Sequence, residues 1–402
     1  LTPVLSRKIG NSYLFFAIFA YIVVIYLRTE FYIMILLTPG PTAVPEAVRA
    51  AMSTETIHHR TKEFEAIFES TREMLKKLFN LPEVLMLSSS GTGAMEGAVL
   101  NLTHKKALTV NGGKFGERFG KIAKAFDIDY IEYKVEWGES AKVEDLVQIV
   151  KNDPSIDALF IQISESSTGV RHPVEEIAAA LKAINPDIMV AADGITAVGV
   201  EHIDVTNIDC LITGSQKALM LPPGLAMMGL SEKATAKIES KPKGYYFNLA
   251  IELKNQRKNT TAWTAATTLT QGLNKVLSDM FAYGIDKKYA EIKKTAEATR
   301  TALDAIGLKQ YPKNPALSMS TYELDGANAL RKLLQNEFKV NIAGGQDQLN
   351  DKIFRINHMG YVEVYHAAWA VEAIEIAMEK LNMRKFDASA SKAFAQTYFL
   401  KG

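Results

Sequence analysis

The sequence predicts an α/β protein in which a mostly parallel sheet is covered by helices on both faces and is followed by a smaller α+β region. Three observations carry this expectation. From Pro45 onward, short apolar runs alternate with amphipathic segments of helical period. The runs are nearly continuous in hydrophobic residues, as strands buried on both faces are. Near Thr268 a long helical pattern begins, and after it strands and helices mix.

Composition narrows the class further. The 402 residues are 48% hydrophobic and 23% charged, ordinary for a globular chain and unlike a disordered one. Lys and Arg total 46 against 45 Asp and Glu, so the basic surplus that nucleic acid or an anionic membrane would need is missing. A small-molecule partner is the expectation. The single cysteine, Cys210, excludes an internal disulfide framework and a cysteine-based metal cluster, and it fits a reducing, cytoplasmic compartment. His58 and His59 are adjacent, and no spacing places two imidazoles on one helical face, so no metal is expected.

The elements follow in order. Residues 1–33 stand apart: Ser12 to Leu27 carries no charge, follows Arg7 and Lys8, and is closed by Arg28. Its 16 residues fall short of the roughly 20 that cross a bilayer. Two readings stand, a start placed upstream of the native one at Met34, or a membrane anchor. Residues 34–50 read as an N-terminal segment, with the prolines and glycine of LTPGPTAVP fixing an extended path. A large domain over 51–275 opens with the amphipathic helix Thr61 to Phe79. Its strands are expected at 84–90, 107–111, 128–134, 158–164, 188–193 and 210–215, with helical segments such as 142–151 and 174–184 between them. GLAMMGLS at 224–231 could return as an antiparallel strand. One long helical pattern runs from about Thr268 to Ala305, and a small domain over 276–384 adds strands ALSMSTYEL and KIFRINHM with helices NALRKLLQNEF and EVYHAAWAVEAIEIAMEKL. Residues 385–402 form a tail.

Strands of such a sheet present their C-terminal ends to ligands, so the residues ending each run are the place to look for chemistry. VLMLSSS passes through Ser90, Gly91, Thr92 and Gly93 straight into a helix, whose free N–H groups and dipole suit a phosphate. A dinucleotide fingerprint would need glycine at position 96, which is Glu96, and a bare tight turn remains the simpler alternative. Asp193 ends an otherwise apolar run, a costly place for a carboxylate unless a cation such as a protonated ring nitrogen waits there; a helix N-cap is the competing reading. Lys217 follows another strand, 24 residues beyond Asp193. An apolar wall and a cationic ring would make its neutral amine accessible, although most lysines are simply solvated. Ser166, Ser167 and Thr168 sit at a third strand end, as ordinary turn residues also do, and Phe115 could stack on a ring or belong to the core.

Taken in order, SSSGTGAMEGAV, NGGKFGER, SESSTGV, AADGITAVG and GSQKALMLPPGLA resemble class V aminotransferases, particularly the alanine–glyoxylate, serine–pyruvate and serine–glyoxylate group. The likeness runs from about Leu37 to Leu381. It implies the pyridoxal 5′-phosphate-dependent transferase fold type I, with a mostly parallel seven-stranded sheet in the large domain and a smaller C-terminal α+β domain. It implies Lys217 as the Schiff-base lysine, Asp193 against the pyridine nitrogen, and Ser90, Gly91, Thr92 and Gln216 around the phosphate. Phe115 would stack on the cofactor where relatives often carry Trp, and Ser166 would face its phenolic oxygen. Thr261 and Thr264 in NTTAWTAATT would complete the phosphate cup of the other subunit of a homodimer; relatives usually have proline where Ala265 follows. Arg355 in KIFRINHMG would grip the substrate α-carboxylate, which its planar fork suits. The implied reaction is ping-pong transamination from a small amino acid, alanine or serine, to a 2-oxo acid, glyoxylate or pyruvate. Another class V enzyme, acting on 2-aminoethylphosphonate or ureidoglycine, or a lyase, is the alternative; a desulfurase would need a mobile nucleophilic cysteine, and Cys210 lies in the apolar run leading to Lys217.

Overall fold

The computed structural model describes residues 34–400. The apolar segment Ser12 to Leu27, with the two readings given for it, lies outside the described residues. No helix among the described residues is long and apolar enough to cross a membrane.

A short strand, β1 (Ile35–Leu37), begins the described chain. The main sheet starts with β2 (Glu83–Leu87), β3 (Lys106–Asn111), β4 (Tyr130–Lys134) and β5 (Ile156–Gln162). A small hairpin, β6 (Ser164–Glu165) with β7 (Val170–Arg171), branches off after β5. The main sheet then continues with β8 (Met189–Asp193), β9 (Cys210–Gly214) and β10 (Ala226–Leu230). Its seven strands lie in the order β2-β10-β9-β8-β5-β3-β4. Every pairing is parallel except the two made by β10, so β2 regains the direction of β9 across it. The mixed sheet expected from GLAMMGLS is therefore present, and the C-terminal ends of β2, β9, β8, β5 and β3 share one edge.

Every residue of β8, β9 and β10 is buried, the physical reason these segments read as unbroken apolar runs. One face packs on Phe64, Phe68 and Leu75 of helix Lys62–Phe79, Leu146 and Val150 of Val143–Asn152, Ile177 and Leu181 of Val174–Ile184, and Leu273 and Val276 of Thr267–Tyr283. The other packs on Met95 and Val99 of helix Gly91–Leu102, Phe119 of Gly116–Ala125, Ile238 of Glu232–Ser240, and Leu249 and Leu253 of Leu249–Gln256.

The smaller C-terminal domain contains β11 (Lys309–Gln310), β12 (Met319–Glu323), β13 (Val340–Gly344) and β14 (Ile353–Asn357). β14 pairs antiparallel with β12 on one side and β13 on the other. β13 carries VNIAG, a half-buried alternation that went unread beside stronger patterns. One expectation is corrected here. The helical pattern from Thr268 to Ala305 is two helices, Thr267–Tyr283 and Ile285–Ala305, because Gly284 adopts φ +101° and closes the first helix before the second begins. Periodicity alone cannot register a break of one residue.

Candidate active site

The shared strand edge gathers a cavity lined by Ser90, Gly91, Thr92, Phe115, Arg118, Ser164, Ser166, Asp193, Gln216 and Lys217. Ser90 to Thr92 come from the turn after β2 and the first residues of helix Gly91–Leu102. Ser90 occupies the N-cap position and makes no side-chain capping bond, so its hydroxyl is unspent at a helix start whose dipole favours an anion. From β8, Asp193 enters almost fully buried. Its Oδ1 accepts the Ile195 N–H at 2.9 Å, which satisfies the turn that a capping residue would, and the second oxygen is left for the cavity. Burial is the main cause pushing Asp193 up to about 6, with the neighbouring Glu165 carboxylate adding to it; Arg118 and Lys217 pull the other way.

Beyond β9, Lys217 reaches back under the N-terminal segment and its Nζ donates to the Pro39 carbonyl at 2.6 Å. That segment is clamped over the lysine turn by Thr42, whose N–H donates to the Gln216 carbonyl at 3.0 Å and whose hydroxyl donates to the Lys217 carbonyl at 2.7 Å. Gly40 has φ +143°, and a Cβ built there would overlap Lys217 Nζ. LTPGPTAVP thus does more than frame the mouth of the site, since its backbone touches the amine. Desolvation lowers Lys217 to about 8; Asp193 opposes that change, while Arg355 and Arg118 reinforce it.

Arg355 sits on β14, 7% exposed. Its Nε and Nη2 donate to the Gly344 carbonyl at 3.0 and 2.6 Å, and its Nη1 donates to the Ser166 carbonyl. Three of its five N–H donors are so engaged, leaving one on each Nη, the count a bidentate carboxylate requires. Burial brings it down to about 10, and Glu165 counters part of that.

Ser166, Ser167 and Thr168 separate in the structure. Ser166 lines the cavity, whereas the Ser167 hydroxyl donates to Glu165 at 2.6 Å and the Thr168 hydroxyl to the Glu165 carbonyl at 3.3 Å, holding the turn itself. Thr261 and Thr264 are not brought to the Lys217 cavity. They line a separate small pocket with Ser88, Tyr246, Glu252 and Trp263, and the Thr261 hydroxyl donates to the Trp263 carbonyl. Cys210 is fully buried in β9, with its thiol pushed up by that burial and by Asp209, so it offers no nucleophile at the cavity.

Two residues escaped sequence reasoning. Arg118 lines the cavity, donates from Nη1 to the Thr92 hydroxyl at 2.9 Å and lies over the Phe115 ring at 4.9 Å. Its signal was available three residues beyond Phe115 in NGGKFGER. Glu165 is wholly buried behind the cavity, and a carboxylate directly after the run ALFIQIS was as conspicuous as Asp193.

The family model for aminotransferase class-V matches residues 35–359. An aminotransferase of Helicobacter pylori (strain ATCC 700392 / 26695) is 50% identical over 91% of this chain and all of its own length. The serine–glyoxylate aminotransferase of Hyphomicrobium methylovorum is 31% identical, covering 91% of this chain and 94% of that protein. Among solved structures, a subgroup IV aspartate aminotransferase from Thermus thermophilus superposes with a TM-score of 0.80 at 30% identity, over 86% of this chain and 99% of that one. The chain belongs to the class V aminotransferases, enzymes that use pyridoxal 5′-phosphate to move amino groups between amino acids and keto acids.

Proposed function

We propose that this enzyme takes the amino group of a small amino acid, alanine or serine, and delivers it to glyoxylate or pyruvate in two half-reactions at one site. The observation that carries the reading is the Lys217 amine, lowered to about 8 and facing the buried Asp193 carboxylate in the same cavity as an uncapped helix N-terminus. The cavity's unspent polar atoms fit the cofactor. Ser164 Oγ and Gln216 Oε1 are buried without a hydrogen-bond partner, and the Ser90 hydroxyl is free of capping.

On this reading Ser90, Gly91, Thr92 and Gln216 hold the phosphate, with Arg118 orienting the Thr92 hydroxyl. Phe115 covers one face of the ring, and Ser166 faces the phenolic oxygen. When bound, the cofactor supplies an electron-accepting ring that stabilises the substrate carbanion. Asp193 keeps a proton on the ring nitrogen by offering its second oxygen as a buried anion. Neutral Lys217 Nζ carries the proton removed from the substrate α-carbon, and the Pro39 carbonyl fixes the direction of that amine. Arg355 binds the α-carboxylate through its two remaining N–H donors, the same in both half-reactions, so one site serves donor and acceptor.

We further assign Thr261 and Thr264 to the phosphate site of a second copy, in a cytoplasmic homodimer. That they line a pocket other than their own chain's Lys217 cavity supports this, as does the surface beside them, where Tyr245 is 78% exposed against the Trp263 ring. The test is a panel of alanine, serine, aspartate and 2-aminoethylphosphonate against glyoxylate and pyruvate, followed by release of the carbonyl product. Turnover with alanine or serine is expected. Turnover confined to aspartate, or to amines without an α-carboxylate, would overturn the substrate assignment, and a monomer in sedimentation would overturn the shared site.

A further inference from the structure

Glu165 takes no part in the chemistry described above, yet it lies between the groups that do. Its Oε2 accepts the N–H groups of Phe115 at 3.1 Å and Gly116 at 2.8 Å, the first donors of helix Gly116–Ala125. Its Oε1 accepts the N–H of Ser167 at 3.0 Å and the Ser167 hydroxyl at 2.6 Å, and that hydroxyl in turn accepts the Lys114 N–H at 3.1 Å. Three of the four donors to the carboxylate are backbone amides, which cannot accept a proton in return, so the arrangement is built for an anion. The helix start it faces favours that anion as well. Burial works against the charge and raises the group's proton affinity, which the hydrogen bonds from Ser167, Gly116 and Phe115 counter. Position 113 is fitted to the carboxylate, because a Cβ on Gly113 would come within 2.6 Å of Glu165 Cγ and Cδ.

The two loops joined in this way carry different halves of the site. One presents Phe115. The other presents Ser166, whose carbonyl anchors Arg355. We infer that Glu165 is a positioning residue that sets the Phe115 ring against the Ser166 carbonyl, and through that carbonyl Arg355, so that cofactor ring and substrate carboxylate are held in one frame. This rests on the cofactor and carboxylate roles proposed above.

The test uses the holoenzyme and a Glu165→Gln variant, whose amide N–H₂ would point a donor at backbone donors while preserving shape. The induced circular dichroism of the bound cofactor should fall at least about twofold, and KM for the amino donor should rise about fivefold or more with a smaller change in kcat. A folded Glu165→Gln with wild-type dichroism and KM would overturn the inference. Should Glu165→Gln fail to fold, Ser167→Ala decides, since it removes one donor to the carboxylate and the bridge to Lys114. It should shift both readouts in the same direction by a smaller factor, and unchanged values would equally overturn the inference. Absence of any cofactor band in the wild-type protein would instead strike at the cofactor assignment.

Discussion

The most exacting prediction concerns the proton on Lys217. A lysine in water releases it near 10.5, so at pH 7 only about one amine in 3,000 is neutral; at a value of about 8 the fraction is about one in ten, roughly 300-fold more. Desolvation supplies most of this change, Arg355 and Arg118 add to it, and Asp193 is the anion that limits it. Replacing Asp193 by Asn removes that restraint, so the Lys217 midpoint should fall below about 8. The assay is reductive methylation of cofactor-free protein with formaldehyde and a borane–amine reductant across pH 6 to 11, with the Lys217 peptide quantified by mass spectrometry. Lys62, whose side chain is 93% exposed, serves as the reference for reagent consumption. A wild-type midpoint near 10, or one that rises in Asp193→Asn, would refute the electrostatic account of this amine.

Arg355→Lys should raise KM for both amino donor and keto acid by about tenfold or more, because a lysine cannot keep the Gly344 and Ser166 carbonyls and still present two parallel donors; steady-state kinetics read this directly. Gly40→Ala should weaken cofactor retention in dialysis, reduce activity and lower the melting temperature, since the new methyl would overlap the buried end of Lys217 and the backbone there holds φ +143°, which a residue with a Cβ rarely adopts. His172 and His358 should remain neutral in the folded protein at pH 5, their imidazoles lowered by burial to about 4 and about 3. The unfolded chain binds these two protons near 6.5, so each histidine withdraws stability as pH falls from 6.5 towards its folded value. Histidine-selective NMR titration measures this, and an imidazole that protonates near 6.5 without unfolding would contradict it.

Much of the architecture was legible because the sheet is buried on both faces. Seven apolar runs became seven strands, and the helix opening at Gly91 was marked by Ser90 and a glycine turn. The gaps have physical causes. A single Gly284 ends one helix and allows another without altering the hydrophobic period. β13 is half-buried and short, so its alternation was weaker than the helix preceding it. At the site, strand-end reasoning found Asp193 and Lys217, but it looked only at residues that could touch a ligand. Glu165 acts on backbone amides 49 and 50 positions away in the chain, and that pairing exists only once β3 lies beside β5.

The same logic explains why the N-terminal segment matters to the chemistry although no side chain in Pro39 to Pro41 is reactive. A lysine that must be neutral needs a dry setting, but a dry amine without an acceptor would be an unsatisfied buried donor. The Pro39 carbonyl resolves that conflict by accepting from Lys217 at 2.6 Å without introducing a charge that would hold the proton. A carboxylate in its place would satisfy the hydrogen bond and raise the amine's proton affinity, undoing the effect of burial. The backbone can come this close because Gly40 carries no Cβ, and Thr42 fixes it by bonding to the peptide units on both sides of the lysine. Conformation of the segment and protonation of the amine are therefore set by one group of contacts, and a change at Gly40 or Thr42 should shift the Lys217 midpoint.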